Sequence, residues 1–315
     1  MNRDLIYEIP ESLYGHKISE LLHQKGFSNQ NLTALKKMDH SVMINGRWEY
    51  LNYRLRPGDL LEIHIQEEEV SEKIPPVKLL FPIIYEDEDI TVVNKPAGMP
   101  IHPSMKNYEN TLGNAAAYYY ASQGKPFVYR CVNRLDKDTT GLTILAKHML
   151  SCSVLYDAMS AREIHREYLA IVEGCDIPEE GIIDLPLGRK PDSAIERMVD
   201  PEHGEKAVTH YKVIDRKEPG PEMEKGLAFI SLKLETGRTH QIRVHMKAIG
   251  HPLIGDFLYY PENHLMSRQA LHSYRLDFIH PITGKPLTFT APIPEDMRQF
   301  FPCCKLKVEN DFRAS

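Results

Sequence analysis

Apolar residues Leu13, Ile18, Leu21 and Leu22 recur at helical spacing near the start of the chain, and Gly26 supplies a stop, which predicts an amphipathic helix over residues 13–27. A second, shorter helix is expected over residues 29–37, capped by Ser28 or Asn29. The period then changes. Residues 41–44 and 60–65 read as strands, Asn45-Gly46 is a hairpin turn signal, and Pro57-Gly58-Asp59 marks a further turn. An acidic run, Glu67-Glu68-Glu69, followed by Pro75-Pro76, reads as a solvating spacer. Beyond it, short apolar or alternating runs are interleaved with helical stretches at residues 111–124 and 149–161. Residues 142–146 form an apolar run that reads as a buried strand, and residues 229–234 are strand-like. Tyr168, Ala170 and Val172 share one face of another strand by period-two alternation. Residues 215–225, rich in charge, Pro and Gly, are expected to be a mobile loop. The class expected is α+β: a mixed, largely antiparallel sheet with flanking helices, preceded by a small N-terminal α/β domain. The boundaries expected are 1–70 for the small domain, 71–79 for the linker, 80–300 for the main domain and 301–315 for a tail.

A length of 315 residues suits two domains, and 42% hydrophobic residues can bury a substantial core. The formal net charge of -6 argues mildly against nucleic acid as a partner. Its distribution weakens that objection, because the acid is concentrated in residues 67–69 and 86–89. Arg134, Lys137, Lys147, Arg166, Arg238, Arg243 and Lys247 cluster in the motif-bearing segments. A basic cleft on an acidic body is the expectation. Five cysteines show no metal-ligand spacing and read as free thiols. His240 and His245 are expected on a strand, facing opposite ways, so no metal site is expected. The start, Met1-Asn2-Arg3-Asp4, lacks a basic-then-apolar signal, and no apolar run approaches a membrane span, which leads to a cytoplasmic expectation.

Candidate chemistry begins at Arg134-Leu135-Asp136-Lys137-Asp138-Thr139-Thr140-Gly141-Leu142. Its polar half reads as a loop at the mouth of the buried strand, a common place for reactive groups. A lone Asp there is most simply a turn cap, but two other segments raise its standing. Arg166-Glu167-Tyr168-Leu169-Ala170 places an aromatic ring on a strand, and Gly237-Arg238-Thr239-His240-Gln241-Ile242-Arg243-Val244-His245 is dense in donors and cations. Arg238 and Arg243 both suit phosphate or a carboxylate, since the guanidinium fork binds either through two hydrogen bonds.

Together these segments resemble the motifs of the RluA-type family of pseudouridine synthases. Two further stretches fit the resemblance: Asn94-Lys95-Pro96-Ala97-Gly98, and Gly250-His251-Pro252-Leu253-Ile254-Gly255-Asp256 with Leu271-His272. The likeness spans residues 80–294, with Asn133 standing where the family often has His. It implies an isomerase that breaks the bond from ribose to a uracil nitrogen, turns the base, and rejoins it through carbon, with no cofactor and no metal. Asp136 would be the catalytic carboxylate, acting on the sugar as nucleophile or as base. Arg243 would pair with it. Tyr168 would stack on the uracil and help relay a proton. Leu271, or else Ile242, would close the other face of the base, and Arg134 would meet a flanking phosphate. Arg238 is a further substrate-binding candidate. The N-terminal pattern resembles, more loosely, the RNA-binding module named after ribosomal protein S-four, with Lys36, Lys37, Arg47 and Arg54 placed to contact phosphates. The partner implied is RNA, ribosomal in the first instance and transfer RNA otherwise, acted on by a monomer. A non-catalytic RNA-binding protein of the same fold and a glycosidic-bond hydrolase are the competing readings. A hydrolase needs two carboxylates about 5 to 9.5 Å apart.

Overall fold

The computed structural model describes residues 1–303 apart from Lys106 and Glu222. The chain opens with strand β1 (Asn2–Glu8), helices α1 (Ile18–Gln24) and α2 (Asn29–Leu35), and strands β2 (Val42–Ile44), β3 (Arg47–Trp48) and β4 (Leu60–Gln66). The strands make an antiparallel sheet in the order β1-β4-β2-β3. Helix α1 is shorter than expected, because Leu13 falls in a separate 3-10 turn. Ser28 caps α2 as expected: its hydroxyl accepts from the Asn31 N–H at 3.2 Å, and the Asn31 side chain accepts in return from the Ser28 N–H.

The larger part runs β5 (Ile83–Glu86), β6 (Ile90–Lys95), α3 (Leu112–Ala121), β7 (Thr140–Ala146), α4 (Met149–Ser160), β8 (His165–Glu173), β9 (Glu180–Asp184), β10 (Leu187–Arg189), β11 (Arg197–Val199), β12 (Val208–Lys217), β13 (Leu227–Leu234), α5 (Gln241–Ala248), β14 (Leu271–Ile279) and β15 (Pro286–Thr290). Its main sheet is ordered β5-β6-β7-β14-β8-β13-β12-β9, and β15 pairs with Arg275–Ile279 of β14, beyond the short stretch that β7 pairs. All its pairings are antiparallel except β7 with β14, so the mixed, largely antiparallel α+β class holds. Gly141 makes the parallel contact possible. A Cβ there would sit 2.2 Å from the Ser273 carbonyl oxygen, and its φ of +109° strains any side-chain-bearing residue.

Three expectations need correction. Residues 241–248, expected as strand, form helix α5, because Arg243 and His245 are buried alongside Ile242 and Val244. Alternation of apolar and charged residues therefore does not mean alternation of inside and outside here. Asp215, Arg216 and Lys217, expected in a loop, extend β12 against Phe229, Ala228 and Leu227. Phe301, expected in the tail, is buried and stacks on Phe229 with ring centroids 5.4 Å apart. Residues 304–315 of that tail lie outside the described residues.

The small sheet does not stand apart from the large one. Met149 and Leu150 of α4 belong to the same apolar cluster as Ile18, Leu21, Leu22 and Leu35. Burying each is worth about 1.5–3 kcal/mol. Polar bonds reinforce the contact: Arg3 meets Asp89 at 2.7 Å, and Arg130 meets Glu67 at 2.6 Å. Glu67 is thus pinned rather than part of a solvated run. The stretch after it is also tied down, by Ser71 accepting from the Tyr129 N–H and Pro75 from the Asn114 side chain.

His272 lies wholly buried between β7 and β15, with the Thr140 hydroxyl 2.8 Å from its Nδ1. Burial depresses its pKa to about 4. An unfolded histidine at 6.5 binds protons that the folded one refuses, so this residue's contribution is complete above pH 6.5 and is lost as pH falls toward 4. We expect His272→Asn to remove about 3 kcal/mol of the acid-side loss. Urea unfolding at pH 7 and pH 4.5 checks this; equal acid sensitivity of both proteins would refute it.

Candidate active site

The loop bearing Asp136 is held from three sides. Asn133, at its root, accepts from the Ile144 N–H and donates to the Leu142 carbonyl, tying the loop to β7. Lys95 is fully buried, and its Nζ donates to the carbonyls of Pro96, Met99 and Lys137 at 2.8–2.9 Å. That ammonium clamps the Lys-Pro segment onto the loop. Burial draws its pKa down to about 7, with Asp138 and Asp136 opposing the drop. Asp138 turns away from the cleft and accepts from the Gly98 N–H. Gln269 fixes Thr139 from the far side.

Asp136 faces a cleft of about 430 Å³ lined also by Arg134, Arg166, Tyr168, Arg238, His240, Ile242, Arg243 and Leu271. It is the one carboxylate among the lining residues, which removes the two-carboxylate hydrolase. Its Oδ2 accepts from Arg243 Nη1 at 3.0 Å. The rest of the Arg243 guanidinium forks onto buried Asp256, with Nε and Nη2 at 2.6 and 2.7 Å. Asp256 is itself oriented by the backbone N–H groups of Leu258 and Tyr259, and the Tyr259 ring lies 4.9 Å from the guanidinium carbon. Burial works against the charge on Arg243, but hydrogen bonds and charge from Asp256 and Asp136 outweigh it and raise its pKa. One permanently charged side chain is therefore bolted to the scaffold at one end and holds Asp136 with the other.

Tyr168 projects from β8 into the same cleft and is 5% exposed. Leu271 of β14 pairs in register with Ala170, two residues along β8 on the face shared with Tyr168. Burial raises the Tyr168 phenol pKa; Arg166 opposes this and Asp136 adds to it. The phenol is accordingly a hydrogen-bond donor at neutral pH.

The family description for RNA pseudouridylate synthase matches residues 89–248, and an uncharacterized RNA pseudouridine synthase of Bacillus subtilis (strain 168), YjbO, is 40% identical over 280 residues, covering 89% of this chain and 96% of that protein. The chain belongs to the RNA pseudouridylate synthase family. A protein of Buchnera aphidicola subsp. Schizaphis graminum named ribosomal large subunit pseudouridine synthase D is 36% identical over 304 residues, covering 90% of this chain and 92% of its own. Among solved structures, human RNA pseudouridylate synthase domain containing 1 shares the fold, with a TM-score of 0.58 at 24% identity over 71% of this chain and 88% of that one.

This synthase brings the seven residues expected at the catalytic site to one cleft, Asp136, Tyr168, Arg243, Arg134, Leu271, Ile242 and Arg238, while Lys36, Lys37, Arg47 and Arg54 lie outside it. The two arginine candidates are told apart. Arg243 takes Asp136, while Arg238 stays exposed and pairs with Glu205 at 3.1 Å. His240 is the residue whose place went unforeseen. It sits at φ 58°, in the left-handed region, at the start of α5. The Tyr259 hydroxyl, which accepts from the Arg197 N–H, lies 2.8 Å from His240 Nδ1, and His240 Nε2 lies 3.8 Å from Asp136 Oδ2. Burial lowers the His240 pKa, which favours the neutral imidazole. Asp256 and Tyr259 were equally hidden, because each acts through a partner distant in sequence. Among the described residues, no helix is long and apolar enough to cross a membrane.

Proposed function

We propose that this synthase isomerises uridines of large-subunit ribosomal RNA in the cytoplasm, as a monomer, with Asp136 as its catalytic carboxylate. The observation that carries the reading is one guanidinium, Arg243, spanning buried Asp256 and cleft-facing Asp136 beside Tyr168. The target uridine leaves its stack, at a cost of a few kcal/mol, and enters the cleft. Tyr168 covers one face of the uracil and Leu271 the other, with Ile242 packed alongside. Arg134, exposed at the rim, meets the neighbouring phosphate, and Arg238 adds positive charge beside it. Asp136 then acts at the ribose, by attack on the anomeric carbon or by removing a proton next to it. The glycosidic bond to nitrogen breaks, the base turns, and a bond to carbon forms. The proton lost from that carbon is matched by one gained at the freed nitrogen, so the step is redox-neutral.

The ribosomal assignment draws on the relatives named as ribosomal large subunit enzymes, which include one matching 98% of this chain. Mapping pseudouridines in cells with and without this protein tests it. Loss of sites in large-subunit RNA is expected, and loss confined to transfer RNA would overturn it. For the phenol, Tyr168→Phe is expected to preserve the ring and lower turnover by roughly 10²-fold, the scale of general acid–base assistance. Single-turnover rates with saturating RNA check this, and an unchanged rate would leave the ring as a stacking surface alone.

A further inference from the structure

His240 lines the Asp136 cleft, and neither stacking of the base nor attack on the sugar has used it. Its backbone lies in the left-handed region, at φ 58°, a strain that persists only where the surroundings impose it. Here they do. The next residue, Gln241, is buried; its side-chain oxygen accepts from the Thr236 hydroxyl and the Arg238 N–H, and its Nε2 donates to the Val208 carbonyl and the Thr209 hydroxyl. The Tyr259 ring meets the imidazole edge-on, with centroids 5.6 Å apart, and the Tyr259 hydroxyl lies 2.8 Å from Nδ1. With Nδ1 engaged there, Nε2 is the ring nitrogen beside Asp136, 3.8 Å from Oδ2. That separation is too long for a direct hydrogen bond. A single oxygen placed about 2.8 Å from each atom spans it, with the two bonds near a right angle.

We propose that this oxygen is the 2′-hydroxyl of the target ribose, held between His240 Nε2 and Asp136 Oδ2, so that His240 selects ribose over deoxyribose at the target. An ionised carboxylate only accepts, so the hydroxyl donates to Oδ2 and accepts from Nε2–H. A phosphate oxygen could not take this place, because it has no proton to give and its charge would meet that of Asp136. Arg243 also holds Oδ2, which leaves Oδ1 for the sugar carbon. The 2′-oxygen is borne by the carbon next to the anomeric one, so an acid acting at either has this hydroxyl within reach. That hydroxyl is what lets a protein tell RNA from DNA at one nucleotide. The inference rests on Asp136 acting at the ribose, but not on which RNA carries the target.

His240→Asn removes Nε2 and little else. Asparagine tolerates the left-handed backbone, and its amide takes the place of Nδ1 against Tyr259. His240→Gln returns an amide N–H to the Nε2 position. Parent and variants are compared by kcat/KM on a synthetic RNA hairpin built on a mapped target, carrying either uridine or 2′-deoxyuridine there. The parent is expected to lose about tenfold when the hydroxyl is removed, the scale of a hydrogen bond to a charged group. His240→Asn is expected to lose about tenfold on the uridine hairpin and then to separate the two hairpins by no more than about threefold, the mark of two changes acting on one interaction. His240→Gln is expected to regain part of the discrimination. Thermal unfolding verifies that the variants fold, and the response of the parent to 2′-deoxyuridine needs no variant. A parent indifferent to the hydroxyl, or a folded His240→Asn that discriminates as well as the parent, would overturn the proposal. Asp136→Asn on the same hairpins keeps the two readings apart: activity in that protein removes the acid from the ribose, whereas an inactive Asp136→Asn beside undiminished discrimination in His240→Asn removes His240 alone.

Discussion

Asp136→Asn is expected to abolish pseudouridine formation, lowering turnover by roughly 10⁴-fold or more, the scale seen when a group acting at the reacting bond is removed. The substitution isolates chemistry from structure. The Asp136 side chain is 26% exposed, so an amide there buries no new unsatisfied group. Its oxygen can still accept from Arg243, and the cleft keeps its shape. Stability should change by less than about 1 kcal/mol. RNA affinity should be retained, because Arg134, Tyr168 and Leu271 are untouched. Rate measurement under single-turnover conditions, with RNA binding followed in parallel, decides the matter. An Asp136→Asn protein that isomerises uridine within tenfold of the parent would remove the carboxylate from the reaction.

Arg243→Met should damage both fold and activity. Asp256 is 1% exposed and depends on two of the guanidinium's hydrogen bonds. Removing one partner of a buried pair leaves the other charge stranded, at a cost of about 3–5 kcal/mol. Asp136 loses its anchor at the same time, so turnover should fall as far as in Asp136→Asn. The double variant Arg243→Met with Asp256→Asn separates the two effects. It relieves the stranded charge and should recover most of the stability, yet leave the enzyme inactive. Urea unfolding and turnover on the three proteins provide the comparison. Recovery of activity in the double variant would show that Arg243 serves the fold and not Asp136.

How much of this was readable beforehand differs by residue. Asp136, Arg238 and Arg243 were legible only jointly: each alone reads as a turn or surface group, and it is the set of short motifs that carry them which points to one cleft. Tyr168 and Leu271 were also within reach, since period-two alternation on β8 specifies which face the ring occupies. Helix α5 was misread because binary patterning equates charge with solvent. Arg243 and His245 break that equation, being buried against Asp136 and Asp256 in one case and against Thr209 and the Leu185 carbonyl in the other. Strand β1 escaped notice for the opposite reason. Only Leu5 among its residues is buried, so an edge strand satisfied by backbone pairing to β4 leaves almost no apolar trace. His240 could not be found from pattern at all, because its place beside Asp136 comes from a left-handed backbone and a contact with Tyr259.

Because α4 shares one apolar cluster with the first two helices, the N-terminal sheet cannot loosen without uncovering Met149 and Leu150, so a substitution that weakens either part is felt by the other.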